Sequence, residues 1–258
     1  MAPRVRPSLT ARTVAVLRAA VDRPEVPSGD PDGEDRLARS LSPPLPLQLP
    51  GMADYIGART RFFDERLLDA CQAGAHQVVI VGAGYDARSV RFRQPSVAFY
   101  ELDHPGTQAD KVDRLREVDV DAADVRFVPV DLGHDAVVDA LAAAGQDADS
   151  PTHFMCEGLT PYLPTPVLTG LLRSLADRAA PQSTIAIDFA DPGRPQDLLN
   201  RLSLGVVRAG TAVMGERIVT MLSAEETESL LQETGWPKVD FWPTSALFPV
   251  VFAQGSRA

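Results

Sequence analysis

Residues 78–86 read Val-Val-Ile-Val-Gly-Ala-Gly-Tyr-Asp, and this stretch decides the fold. Four apolar residues in succession are typical of a strand that is buried on both faces. Glycines follow at positions 82 and 84, where a strand of an open α/β sheet ends and ligands bind. Glycine leaves room for a ligand to approach and permits a positive φ in the turn. The stretch therefore predicts a buried strand that leads into a ligand-binding turn.

Apolar runs alternate with helical patterns along the rest of the chain. The predicted strands cover residues 78–81, 97–102, 125–130, 153–156 and 184–189. Short apolar runs separated by helices are typical of a parallel sheet that is covered on both faces. Two more strands are expected between Asp240 and Phe252, as a closing antiparallel hairpin. We therefore predict an α/β fold with a doubly wound, mostly parallel, seven-stranded sheet.

The N-terminal part is predicted to form a helical cap on this sheet. Residues 9–21 should form a short helix, residues 23–33 a flexible loop rich in Pro and Gly, and residues 55–73 a longer helix. The whole chain, residues 1–258, is predicted to be one domain in which residues 1–57 are an N-terminal cap or lid.

Two further helices are expected after the fifth strand. Residues 196–209 have a helical pattern. Ser223 is followed three residues later by Glu226, which is the spacing of a capping box that opens a helix.

The composition excludes several classes of protein. The formal net charge is −10 and there is no Lys/Arg cluster, which argues against nucleic acid as a partner. The four His are dispersed, so no metal site is predicted. Cys71 and Cys156 lie in apolar segments, which favours a reducing compartment. Without a signal-peptide or membrane-spanning pattern, we expect a cytoplasmic monomer or homodimer that binds no membrane.

Polar residues follow the predicted strands at one edge of the sheet. Glu101 and Asp103 lie on one face of the second strand, about 20 residues past the glycine turn, where a ribose diol would bind. Asp131 and Leu132 follow the third strand, where an adenine ring would lie beyond the ribose. Glu157 follows the fourth strand. This coincidence predicts a nucleotide-type site at the carboxyl edge.

Several of these residues resemble the leucine carboxyl methyltransferase family, including its many bacterial members. The resemblance spans roughly residues 9 to 250 and is carried by Ala58-Arg59-Thr60, Gln77-Val78-Val79, residues 82–88, Tyr100-Glu101-Leu102-Asp103, Lys111, Asp131-Leu132 and Glu157-Gly158. Ala87 departs from the family, which usually has Thr there. The resemblance implies a class I methyltransferase (Rossmann-like) fold and S-adenosyl-L-methionine as cofactor.

The resemblance also implies roles for individual residues. Arg59 would hold the cofactor's carboxylate, which suits a bidentate guanidinium. Gly82, with Gly84 in the same turn, would let the methionyl part approach, and Asp103 would take the ribose hydroxyls. Asp131-Leu132 would hold the adenine, and Glu157 would lie near the methionyl end. Tyr162 is a candidate substrate contact at the mouth of the site, or else a packed aromatic.

The predicted reaction is an O-methylation of a small molecule, in secondary metabolism. No histidine is well placed as a general base. His153 begins its strand four residues before Glu157, which puts it about 13 Å from the carboxyl edge of the sheet at about 3.3 Å per residue. A carboxylate or acidic hydroxyl is therefore favoured as acceptor, because it is ionised near neutral pH. Two alternatives stay open. Residues 82–87 satisfy the dinucleotide pattern of an NAD(P)-dependent oxidoreductase, and a non-catalytic relative could keep the fold.

Overall fold

The sheet is described by a computed structural model that covers residues 9–41, 51–192, 217–242 and 250–257. Its strands are β1 (Gln77–Val81), β2 (Ala98–Asp103), β3 (Arg126–Pro129), β4 (Thr152–Cys156), β5 (Thr184–Ala190), β6 (Lys238–Trp242) and β7 (Val250–Ser256). The helices are α1 (Leu9–Ala19), α2 (Pro31–Ser40), α3 (Met52–Gln72), α4 (Arg88–Arg91), α5 (Pro105–Glu117), α6 (Val137–Ala143), α7 (Thr165–Asp177) and α8 (Ala224–Glu233), with a 3-10 turn at Thr160–Tyr162.

The strand order is β3-β2-β1-β4-β5-β7-β6. Strands β1 to β5 pair in parallel, whereas β7 runs antiparallel to both β5 and β6. The prediction of a mostly parallel, seven-stranded sheet with a closing hairpin is therefore confirmed. Successive strands run outward from β1 in one direction and from β4 in the other. The gap between the carboxyl ends of β1 and β4 is thus the topological switch point, where such sheets bind ligands.

After Gln77, strand β1 is apolar because both faces of the sheet are covered. Val79 and Val81 pack into a cluster that includes α6 and α7, whereas Val78 and Ile80 pack against α3 on the other face. All five residues of β1 are buried. A continuous apolar run, rather than an alternating one, is what two covered faces require.

The prediction of a flexible loop from residue 23 to residue 33 is wrong at its end. Helix α2 begins at Pro31, and the side chain of Asp30 caps it by accepting a hydrogen bond from the Gly33 N–H, at 2.8 Å. Proline at the first helical position and a capping aspartate are both ordinary helix-start signals. The preceding loop is anchored, because Arg23 is buried and pairs with Asp64 of α3 at 2.6 Å.

Other predicted helices compare well with the structure. Helix α3 begins three residues before the predicted start at residue 55, and the capping box of Ser223 and Glu226 does open α8. The helix expected over residues 196–209 lies outside the described residues. Position 57 falls within α3, so the boundary of the predicted cap divides a continuous helix. Among the described helices, none combines the length and apolar composition needed to cross a membrane.

Candidate functional site

A cavity of about 240 Å³ lies at the carboxyl edge of the sheet, beside the switch point. Its walls come from α1, α3, the turn after β1, the end of β2 and the segment after β4. Six of the eight residues that the sequence analysis selected line it, namely Arg59, Gly82, Gly84, Asp103, Glu157 and Tyr162. The fold thus brings together side chains from segments that lie far apart in the sequence.

The glycine turn forms the floor of this cavity. Gly82 and Gly84 both have positive φ, at 67° and 51°, which favours glycine strongly. A Cβ on Gly82 would lie 2.9 Å from a methyl group of Leu159, and a Cβ on Gly84 would lie 2.9 Å from the Cβ of Ala11. Both glycines are therefore required by the backbone conformation and by close packing.

Asp103 and Glu101 have different roles, although the sequence analysis placed both at a ribose. Asp103 lines the cavity and accepts hydrogen bonds from the backbone N–H groups of Gly84 and His104, the latter at 2.6 Å. Glu101 is buried and accepts from Lys111 and from Ser89. Its carboxylate is compensated in the core, so the expectation of two ribose acceptors is wrong. Burial raises the pKa of both carboxyls, against the opposing hydrogen bonds.

Glu157 is surrounded by three guanidinium groups. Its Oε1 accepts from Arg18 at 2.7 Å and lies 3.0 Å from Nε of Arg59, and its Oε2 accepts from Arg88 at 2.5 Å. Burial would raise the pKa of Glu157, but the charges of Arg18, Arg88 and Arg59 hold it well below its usual range. Glu157 is therefore ionised at neutral pH and fixes the positively charged side chains beside it.

Arg18 is a site residue that the sequence analysis missed. It lies on α1, lines the cavity, and contacts Glu157 and Asp86 although it is 139 residues away from Glu157 in the sequence. Its Nε is buried and has no hydrogen-bond partner within the described structure. Arg18 interrupts the apolar pattern of the short helix α1. This interruption was the one signal in the sequence that could have indicated a buried charged residue. A buried arginine with an unused donor suits an anionic ligand group.

Arg88 connects the site to the core. It is fully buried and donates to Asp64, Asp86 and Glu157, each at 2.5 Å. Asp86 and Arg88 are the acid and base of the Asp-x-Arg pattern after the glycine turn. Burial would raise the pKa of Asp86, but Arg18 and Arg88 outweigh it and lower this pKa. Arg88 thus compensates the buried negative charges of Asp86 and Glu157 next to the cavity.

Asp131 and Leu132 follow β3 at the same edge but are not among the residues that line this cavity. The carboxylate of Asp131 accepts from the Gly133 N–H at 3.0 Å and lies 3.1 Å from His134. Hydrogen bonding from Gly133 lowers the pKa of Asp131. Leu132 is half-buried against the core. Their assignment to an adenine ring stays a prediction.

The histidines lie in different parts of the structure. His153 is fully buried in β4, its Nδ1 is 2.7 Å from the Thr184 hydroxyl, and burial lowers its pKa to about 3. His104 caps α5 by accepting from the Gly106 N–H. Neither His153 nor His134 lines the cavity. Within the described residues, no group of three or more His, Cys, Asp or Glu side chains could hold a metal ion.

The sheet order, the glycine turn and the acid at the end of β2 define a class I methyltransferase fold. A candidate methyltransferase from Thermobifida fusca has a TM-score of 0.61 and 16% identity, with 98% of this chain and 96% of that chain covered. Magnesium protoporphyrin IX methyltransferase from Synechocystis, solved with bound SAH, has a TM-score of 0.55 and 15% identity, with 88% and 95% covered. At such low identity these likenesses establish the fold alone.

The chain belongs to the leucine carboxyl methyltransferase family, which it matches over residues 15–176. A Mycolicibacterium gilvum relative is 43% identical over 57% of this chain and 48% of its own length, and one from Mycobacterium marinum is 36% identical over 75% and 68%. Both are described as candidate S-adenosyl-L-methionine-dependent methyltransferases. The chain spans about half the length of several such relatives. The family resemblance is confirmed.

Proposed function

We propose that this chain is an S-adenosyl-L-methionine-dependent O-methyltransferase. The acceptor is a carboxylate or acidic hydroxyl on a small molecule, and secondary metabolism is the setting we favour. One observation carries the proposal, namely the cavity at the switch point, where Arg18, Arg59, Asp103 and Glu157 converge on the glycine turn. The names of the relatives agree with this cofactor. They favour methyl transfer over the dinucleotide chemistry that the glycine pattern also allows.

The residues around the cavity suit the chemical groups of this cofactor. Arg59, with Arg18 beside it, would bind the methionyl carboxylate, since guanidinium groups bind carboxylates with two parallel hydrogen bonds. The carboxylates of Glu157 and Asp103 would face the methionyl amine and the ribose hydroxyls respectively. Gly82 leaves the space that the methionyl part needs. Asp131 and Leu132 would contact the adenine, beyond the described cavity.

The reaction needs orientation more than acid–base chemistry from the protein. When bound, the cofactor would supply a methyl group carried on sulfonium, and the acceptor oxygen would take this carbon as its bond to sulfur breaks, with S-adenosylhomocysteine as the leaving group. Correct positioning of the reacting groups is worth about 7–11 kcal/mol. An acceptor that is already ionised needs no base, and none of the described residues that line this cavity is a histidine.

Helix α1 would act as the cap of this site, within the single domain. Its residues Ala11 and Arg18 line the cavity, and Arg12 forms an ion pair with Asp110 of α5 at 3.2 Å. Tyr162 lies at the cavity wall and is our candidate for contact with the acceptor. The remaining parts of the proposal are a cytoplasmic location, a monomer or homodimer, and no nucleic-acid partner.

Isothermal titration calorimetry with S-adenosylhomocysteine tests the cofactor assignment. The unmodified protein should bind it, and Asp103→Ala should abolish measurable binding because the ribose loses its acceptor. His153→Ala should leave turnover per folded protein largely intact, since this ring lies in the core. Undiminished binding by the Asp103 variant would contradict the assignment of Asp103 to the ribose. Transfer of radiolabelled methyl to a panel of small carboxylic acids and acidic phenols separates an enzyme from a non-catalytic relative.

A further inference from the structure

Asp188 is a buried carboxylate beside the candidate site that the proposed chemistry does not use. It lies on β5, two residues before the strand ends, and is 2% exposed. It is not among the residues that line the cavity. A buried ionisable side chain is costly for the fold unless its partners compensate it. Its partners therefore indicate what it does.

Asp188 holds the segment after β4 at two points. Its Oδ1 accepts a hydrogen bond from the Gly158 N–H at 2.7 Å, and its backbone carbonyl accepts from the Thr160 hydroxyl at 2.6 Å. We call residues 157–160 the β4 turn. This turn carries Glu157 and Leu159, both of which line the cavity. Asp188 thus fixes the turn through two hydrogen bonds without lining the cavity itself.

The same carboxylate faces the guanidinium group of Arg59. Oδ2 of Asp188 lies 3.8 Å from Nη1 of Arg59. Gly158 has a φ of 63°, and a Cβ on it would lie 3.1 Å from that same nitrogen. The β4 turn and the guanidinium group of Arg59 are therefore in close contact. Asp188 accepts a hydrogen bond from the turn, and its negative charge faces the guanidinium group. Displacing Asp188 would move both walls of the cavity.

We propose that Asp188 is a positioning residue, whose ionised carboxylate holds the β4 turn and Arg59 in the arrangement that binds the methionyl end of the cofactor. The proposal rests on the proposed function, because it takes the cavity to be the cofactor site. A carboxylate that accepts from a backbone N–H while facing an arginine orders two separate elements, and protonation weakens both contacts.

Several titratable groups face Asp188 from the elements packed around it. Tyr55 and Arg59 face it from α3, and Cys156 and Glu157 face it from β4 and its turn. Burial raises the pKa of Asp188 to about 6, against the opposing charge of Arg59. The pKa values of Tyr55 and Cys156 are raised by burial, and that of Glu157 is held low by arginines. Of these described groups, Asp188 is the one that changes charge between pH 5 and 7.5.

The first experiment compares S-adenosylhomocysteine binding by Asp188→Asn and the unmodified protein, using calorimetry at pH 7.5 and pH 5. Asparagine keeps an acceptor for the Gly158 N–H but removes the charge that faces Arg59. We expect Kd at pH 7.5 to rise about tenfold in the variant, as for loss of a charged partner. The unmodified protein should lose affinity on acidification, so the ratio of the two Kd values should shrink at pH 5. All other groups are the same in both proteins, so their contributions cancel in this ratio.

The second experiment measures amide hydrogen exchange of the β4 turn without ligand. Asp188→Ala removes the acceptor of the Gly158 N–H, so this amide should exchange at least tenfold faster, while Asp240→Asn, an exposed change on β6, should alter neither exchange nor binding. Equal Kd values for the asparagine variant and the unmodified protein at both pH values, or unchanged exchange at Gly158, would overturn the proposal. If the unmodified protein binds no S-adenosylhomocysteine, the proposed function fails, whereas the exchange result still decides the positioning role.

Discussion

Replacing Arg88 by methionine would remove the cation that connects the site to the core. Arg88 is fully buried and lies 2.5 Å from each of the carboxylates of Asp64, Asp86 and Glu157. Methionine keeps an unbranched apolar chain in place of the arginine methylenes but lacks the guanidinium group. The change therefore removes the charge and its hydrogen-bond donors while an apolar chain still occupies part of the space.

The expected loss follows from the partners that remain. Asp64 keeps Arg23 at 2.6 Å and Glu157 keeps Arg18 at 2.7 Å, but Asp86 retains its nearest other cation, Arg18, only at 3.5 Å. One buried carboxylate thus loses its close partner, which costs about 3–5 kcal/mol. That is a large part of the ~5–15 kcal/mol by which a folded domain is stable.

Urea unfolding followed by circular dichroism measures this loss, at pH 7 and at pH 4. Arg18 and Arg88 lower the pKa of Asp86 against the effect of burial, so its contribution to the stability of the unmodified protein is present above the unfolded pKa of 3.8 and therefore remains at pH 4. In the variant this carboxyl accepts a proton more readily. The difference between the two proteins should therefore be smaller at pH 4.

Arg116→Met is the matched control, because Arg116 is exposed on α5 and its ion pair with Asp113 is on the surface. Such pairs contribute about 0–1 kcal/mol. A loss below about 1 kcal/mol for the Arg88 variant would refute the reasoning, since it would equal that of a surface pair. A difference that stays constant from pH 7 to pH 4 would also contradict it.

Three further predictions concern the turn, the cap and the pH dependence of stability. Gly82→Ala should lower the free energy of unfolding by about 1–2 kcal/mol, measured by urea titration, because Gly82 has a positive φ. Gly170→Ala is the control: a Cβ there meets open space on α7, so the free energy of unfolding should rise in the same titration. Arg12→Ala should speed S-adenosylhomocysteine release in stopped-flow experiments about two- to fivefold, since a partly exposed ion pair contributes up to about 1 kcal/mol; unchanged release would argue against α1 as the cap. The raised pKa of Asp188 favours the folded state in acid, and this advantage is lost as the pH rises from 3.8 to about 6. Relative to Asp188→Asn, the unmodified protein should thus lose up to about 3 kcal/mol of stability between pH 3.5 and pH 7, measured by urea unfolding.

The sequence alone determined the sheet and the edge where the site lies. The apolar run of residues 78–81 required two covered faces, and its glycine turn marked the carboxyl end of a strand. The capping box at Ser223 was also predicted correctly, because its two partners are three residues apart. Such features depend on chain-local periodicity and capping chemistry, which a sequence displays directly.

The tertiary structure decided which charged residues belong to the site. Glu101 and Asp103 lie two residues apart on one strand, and nothing in the sequence separates their roles. In the structure Glu101 pairs with Lys111 in the core, whereas Asp103 lines the cavity. Arg18 reaches Glu157 across 139 residues, and no local pattern indicates that distance. Ion pairs of buried side chains depend on how helices pack over the sheet, because a charge enters the core only where that packing supplies its partner. The sequence therefore predicted where the site lies, and the packing of α1 and α3 decided its charges.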